Sequence, residues 1–304
     1  MKTILLSALS LLISIAASAG SKVEAMRNVV NGSYNYWFAQ PDSTGKAEAK
    51  PIIIFLHGAS LCGNDLNKVR RYGTIDAIDR GRNLDAYVIA PQNPGGAWSP
   101  SKIMKIVDYT LEHYNADPTR IYVLGMSLGG YGTIDLAAAY PDRIAAAMAF
   151  CGGGTSKKLG DLNKLPLWII HGTADNAVGI SESDKVVSAM RAADPSTPRL
   201  IYDRVPGMNH SQPARFFYLP QTYQWLMGHK LDTPNRPVGE RFDILGSTHK
   251  AYAGLNHGRK SSGKSTAKSK TNKKDSKSKS TSKKSSKKSS SKSSSSKSTK
   301  KSKK

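Results

Sequence analysis

From Pro51 onward the chain alternates short apolar runs with amphipathic stretches. Six runs stand out: Ile52–Leu56, Ala86–Ala90, Ile121–Leu124, Ala145–Phe150, Leu167–Ile170, and Leu200–Tyr202 continuing to Val205. Their apolar residues are consecutive rather than alternating, which suits strands covered on both faces, as in parallel sheets. Between the runs lie helix signals. Ser101–Tyr114 places Ile103, Ile106, Val107, Thr110 and Leu111 at helical spacing, and Leu128–Tyr140 follows the third run directly. Ser181–Ala193 opens on Ser181 as the expected N-cap with Asp184 three residues on, and Tyr218–His229 closes the series. Strand, helix and strand repeated in this way predict an α/β sandwich, a mostly parallel central sheet flanked by helices. In such folds reactive groups gather at the carboxyl ends of the strands.

The two ends of the chain do not share this pattern. Lys2, the apolar run Ile4–Ile15 and the small-x-small triplet Ala17-Ser18-Ala19 read as a secretory signal over residues 1–19. The run is shorter than the roughly 20 residues a membrane span needs, so no transmembrane span is expected after its removal and a periplasmic or secreted protein is. Residues 20–230 are long enough for one domain with a large core. Residues 231–258 carry no assignable pattern and read as a linker. Residues 259–304 are Lys, Ser and Thr with almost no apolar residues, so disorder is expected there.

Charge changes the picture only at that tail. It holds 19 Lys/Arg against the single acid Asp275, so +18 of the formal +23 sits there and the rest of the chain is mildly basic. The high isoelectric point therefore does not make the folded part a nucleic-acid binder. The tail should attract a polyanion such as an anionic glycan, lipid phosphate or nucleic acid, with strong salt dependence. No aromatic residue interleaves with its lysines, so base stacking has no platform. The two cysteines, Cys62 and Cys151, match no zinc-ligand spacing, and their separation alone shows no disulfide. No metal or cofactor is expected.

Candidate chemistry sits at the ends of the apolar runs. Gly125-Met126-Ser127-Leu128-Gly129 matches G-x-S-x-G between a strand signal and an Ala-rich helix signal. That context places Ser127 on a tight strand-to-helix turn with its hydroxyl exposed. A serine hydroxyl needs a base within hydrogen-bond reach and a third group to orient the base. In this arrangement the acid and then the base follow the serine in chain order. Asp175 lies just after the fifth run, whereas Glu182 and Asp184 fall in the next helix and Asp203 in a strand. Among the later histidines, His210 follows the sixth run on a loop, Pro206–Ser211; His171 closes a strand and reads as a structural turn residue. The Leu128 amide and the Ala59 amide, the latter after His57-Gly58, are the expected oxyanion donors, with Ser60 or Leu61 as alternatives to Ala59. His57 reads as shaping that loop. The short Phe150–Leu167 segment leaves no room for a lid, so an open cleft is expected, with Trp98 as a candidate substrate-stacking residue or an ordinary core residue.

Several strings occur together and in order: Phe55-Leu56-His57-Gly58-Ala59, Gly63-Asn64-Asp65, Ala90-Pro91-Gln92, Trp98, Asp117–Tyr122, Gly125–Gly132, Tyr140–Arg143 and Cys151–Gly154. Over about residues 49–230 the chain resembles secreted bacterial α/β-hydrolases known as "predicted peptidases", close to feruloyl- and acetylxylan-esterase-like carboxylesterases and, more remotely, to the prolyl oligopeptidase catalytic domain. The resemblance implies a serine carboxylesterase acting on a small-molecule or glycan ester. A serine peptidase on the same fold and a polyanion-binding surface protein with an idle hydrolase domain are the competing readings. After His-Gly-Ala the group usually continues Gly-Glu-Arg-Gly; here Ser60-Leu61-Cys62-Gly63 stands instead. That would set Cys62 at the rim of the site and Cys151 at a neighbouring strand end, where the two could meet.

Overall fold

The computed structural model describes residues 21–42 and 48–256. The signal at 1–19, the tail at 259–304 and the last two residues of the expected linker lie outside them. One eight-stranded sheet organises the chain: β1 (Val23–Met26), β2 (Tyr36–Ala39), β3 (Lys50–Leu56), β4 (Tyr87–Pro91), β5 (Ala116–Met126), β6 (Ala146–Phe150), β7 (Leu167–Gly172) and β8 (Leu200–Val205). The spatial order is β1-β2-β4-β3-β5-β6-β7-β8. From β4 to β8 every pairing is parallel, while β1 and β2 add an antiparallel edge that the sequence pattern did not indicate.

The consecutive apolar runs are explained by burial on both faces. In β3, Ile53 and Phe55 face one apolar layer while Ile52, Ile54 and Leu56 face the other. In β5, Tyr122 and Leu124 oppose Ile121 and Val123 in the same way. The second layer is roofed by α2 (Pro100–His113), α3 (Leu128–Ala139) and α4 (Ser181–Ala193), which contribute Ile103, Ile106, Leu136, Val186 and Met190. The first is roofed by α1 (Thr74–Asp79), α5 (Pro220–Met227) and α6 (Ile244–Thr248), through Ile75, Tyr223, Leu226 and Ile244. Helix α2 starts where Ser99 caps it and Pro100 supplies a pre-set first turn. In contrast, α4 has Ile180 at its cap and Ser181 as its first helical residue, so the expected serine cap is not made. The last helix signal is found as α5, which opens at Pro220 because a proline suits the first helical position, and a 3-10 turn, Gln212–Tyr218, precedes it.

Residues 231–256 are part of the folded domain rather than a linker. Leu231, Val238 and Phe242 pack against the first layer, and Ile244, Ala251 and Leu255 are buried in it. The Arg236 guanidinium ties the segment down by donating to the Pro141, Lys164, Ile144 and Ala145 carbonyls. Among the described residues no helix is long and apolar enough to cross a membrane.

Candidate active site

Ser127 occupies the turn between β5 and α3 at φ 59° and ψ −123°, backbone that a residue with a Cβ adopts only under constraint. The constraint is visible. Its N–H donates to Phe150 O at 2.9 Å and its carbonyl accepts from Tyr131 N at 3.0 Å. The flanking glycines let the turn close. A Cβ on Gly129 would stand 1.9 Å from Leu56 O, and one on Gly125 would stand 2.3 Å from Gly129 O. Helix α3 therefore springs directly from the sheet, and its first N–H groups, including that of Leu128, have no intrahelical acceptor.

Asp175 follows β7 in a tight turn. Its Oδ1 accepts from Ala177 N and Val178 N, both at 2.9 Å, and its side chain is 1% exposed. Burial works to raise its carboxyl, but the Val178 and Ala177 amides and His210 outweigh it and hold the group below the ordinary carboxylate value. It is thus ionised through neutral and mildly acidic pH. His210 stands on the loop after β8, which is pinned to the β7 loop by Gly207 N to Thr173 Oγ1 (3.0 Å) and Ala174 N to Met208 O (3.2 Å). The structure brings the three side chains together: His210 Nδ1 lies 2.7 Å from Asp175 Oδ2, and His210 Nε2 lies 3.0 Å from Ser127 Oγ. An ionised acid can only accept, so Nδ1 carries the proton and Nε2 presents its lone pair to the serine.

Ala59 opens a short 3-10 turn, Ala59–Leu61, at the end of the β3 loop, so its amide also leads a helical turn without an intrahelical acceptor. Both Ala59 and Ser127 line an open cleft of about 410 Å³, walled by Ser60, Tyr72, Met126, His210 and Ala214. Nothing in the sequence pattern pointed to Tyr72. Its hydroxyl accepts the Gly58 N–H at 2.9 Å and so fixes the loop that carries Ala59. His57 holds the same loop from below: its Nδ1 donates to Gly58 O (2.8 Å) and its Nε2 accepts from Asn93 N (3.0 Å). Burial pushes the His57 imidazole down to about 4, against the pull of the Gly58 carbonyl, so the ring is neutral at pH 7 as that pairing requires. His171 is fully buried; its Nε2 donates to Val178 O at 2.9 Å and its Nδ1 lies 2.7 Å from Ser183 Oγ.

Two points that the sequence leaves open are decided by packing. Trp98 is 4% exposed and does not line the cleft. Its indole lies against Gly132, where a Cβ would come within 2.6 Å of the ring, and its N–H donates to His57 O at 3.3 Å. It is a core residue that braces the β3 loop. Cys62 and Cys151 are both free thiols.

The Dienelactone hydrolase family matches residues 93–211, a stretch that contains Ser127, Asp175 and His210. The chain has the α/β-hydrolase fold and is similar to that family over those residues. It is similar to Feruloyl esterase B of Neurospora crassa, 33% identical over 131 residues, covering 35% of this chain and 41% of that protein. It is similar also to Acetylxylan esterase A of Emericella nidulans, 42% identical over 57 residues and 19% of each chain. The chain thus spans less than half the length of these curated relatives. Among solved structures, a thermostable esterase superposes with a TM-score of 0.57 at 23% identity, over 70% of this chain and 64% of that chain.

Proposed function

We propose that this α/β-hydrolase is an exported serine esterase that cleaves carboxylic esters through an acyl-enzyme, with esterified polysaccharides as its substrate class. The observation that carries the reading is the continuous relay from Ser127 Oγ through His210 to the buried Asp175 carboxylate, at 3.0 and 2.7 Å. His210 Nε2 takes the serine proton as Oγ attacks the ester carbonyl, and Asp175 steadies the imidazolium that forms. The Leu128 and Ala59 amides receive the oxyanion, each donor contributing roughly 3 kcal/mol to the transition state. His210 then returns the proton to the departing alcohol, and water repeats the sequence on the acyl-enzyme.

The cleft supports the substrate class. Its walls are small or apolar on the Ala59, Met126 and Ala214 side and its mouth is open, which suits a compact acyl group on a bulky alcohol. The similar proteins named above, a feruloyl esterase and an acetylxylan esterase, point the same way. The basic tail would hold the enzyme near acidic polysaccharide, and the leader would carry it out of the cytoplasm. Turnover on a panel of p-nitrophenyl acetate, acetylated xylan, feruloylated arabinoxylan and N-acyl peptides tests the reading. Ester hydrolysis is expected, with peptide cleavage at least 100-fold slower; faster peptide cleavage would replace the esterase with a peptidase. With an acetylated acidic polysaccharide added to the panel, a chain ending at Gly258 should lose rate on it at low salt and keep its rate on p-nitrophenyl acetate. Equal loss or no loss on both would mean that the tail plays no part in holding substrate.

A further inference from the structure

We propose that the triad carries a built-in thiophilic metal trap, in which Cys151, Asp175 and His210 bind Zn²⁺ and thereby switch the esterase off. The inhibitory consequence rests on the esterase reading; the binding does not.

Three adjacent strand ends supply the donors: Cys151 closes β6, Asp175 follows β7 and His210 follows β8. One ligand atom from each of the three lies within 4.8 Å of the other two. A tetrahedral ion with bonds of about 2.0 to 2.3 Å sets its donors roughly 3.3 to 3.8 Å apart, so side-chain movements of about 1 Å close the site. Cys151 is there by construction. Its N–H donates to Ile170 O at 2.9 Å, its φ is 38°, and this bend turns the side chain toward His210, whose carbonyl lies 4.0 Å from Sγ. The proposed relay makes no use of this thiol.

Charge and softness select the ion. Burial pushes the Cys151 thiol up, and the neighbouring Asp175 carboxylate adds to this against a hydrogen bond from the Ser127 backbone, so the free protein holds it as an inert S–H. A bound dication reverses that balance, because a coordinating thiol gives up its proton to the metal. One proton leaves for solvent, no electron moves, and thiolate, carboxylate and neutral imidazole around Zn²⁺ sum to zero charge. That is the combination a buried site tolerates. A sulfur, a nitrogen and an oxygen donor favour Zn²⁺ or Cd²⁺ over Mg²⁺. Binding through Nε2 consumes the lone pair that faces Ser127. Binding through Nδ1 leaves the imidazole proton on Nε2, pointing at Oγ. Either way the serine has no base. The donors lie beneath His210, 28% exposed, so entry requires its loop to move and inhibition should set in slowly.

The test uses the full chain with Cys62→Ser, which removes the other thiol. One equivalent of Cd²⁺ should raise a thiolate-to-metal charge-transfer band in the near ultraviolet. The band should persist when Ser127→Ala is added and vanish with Cys151→Ala. Zn²⁺ should inhibit ester turnover reversibly, with chelator restoring the rate and Mg²⁺ having no effect. Relative to its own metal-free rate, Cys151→Ala should need on the order of 100-fold more Zn²⁺, since even supporting groups around a metal are worth 10- to 100-fold. Should Cys151→Ala fail to fold, His210→Ala must weaken Cd²⁺ affinity by a similar factor. A missing band, a band that survives Cys151→Ala, or equal inhibition with and without Cys151 overturns the trap. The Cd²⁺ band with Ser127→Ala reads the metal site on its own, even if no ester is turned over.

Discussion

Asp175→Asn should lower kcat for ester hydrolysis by about 10⁴, with KM nearly unchanged. The carboxamide oxygen can keep both backbone N–H bonds now made to Asp175 Oδ1. Its NH₂ then faces His210 Nδ1, where Asp175 Oδ2 stands at 2.7 Å. Two donors cannot share that contact, so the imidazole proton moves to Nε2 and the lone pair facing Ser127 is lost. The fold should tolerate the change, which steady-state kinetics paired with a thermal melt would show. Activity within tenfold of the parent would remove Asp175 from the relay.

Gly129→Ala should be among the most damaging single methyl additions in the domain. The added Cβ would stand 1.9 Å from Leu56 O and 2.9 Å from His57 O, both backbone atoms of the strand end that carries the oxyanion loop. Neither β3 nor α3 can yield without moving Ser127 or Ala59. Overpacking of this kind costs about 3 kcal/mol or more, or roughly 6–12 °C in Tm for a domain of this size, and activity should fall with it. Gly179→Ala is the control: its Cβ would meet nothing closer than Ser181 Oγ at 3.5 Å, so a change within about 0.5 kcal/mol is expected. Equal melting temperatures for the two variants would show that the turn is not as closely packed as described.

The parallel core is legible in the sequence because its cause is local. A strand buried on both faces must be apolar at every position, as Ile52–Leu56 is, and no turn or polar face interrupts the signal. The antiparallel edge has no such signature. Val23–Met26 is three half-buried residues and one exposed, and Tyr36–Ala39 is placed by contacts far along the chain, such as Trp37 Nε1 donating to Leu66 O at 2.8 Å. Residues 231–256 escape a reading by pattern for the same reason. Their apolar residues are sparse, and Arg236 is recruited by carbonyls some 70 to 95 positions away.

At the site, Ser127, Asp175 and His210 can be picked out because each ends or follows an apolar run, and the sheet then sets those ends side by side. Trp98 cannot be placed from sequence. Whether an indole after a glycine-rich loop faces the cleft or the core depends on the bare surface of Gly132, a contact no local pattern encodes. Tyr72 is invisible as a site neighbour because its position beside the triad follows from no local spacing. The apolar run before Cys151 sets that residue at a neighbouring strand end, but its closeness to His210 is delivered by tertiary packing alone.

If His210 and Asp175 together make Ser127 a nucleophile, covalent labelling should read it without any assumption about the substrate. The protein should be treated with an aryl fluorophosphonate, digested and analysed by mass spectrometry. One adduct per chain is expected, on the peptide containing Ser127, forming at neutral pH and slowed by orders of magnitude in His210→Ala. Labelling at another serine, or at Ser127 with the same rate in both proteins, would contradict the relay.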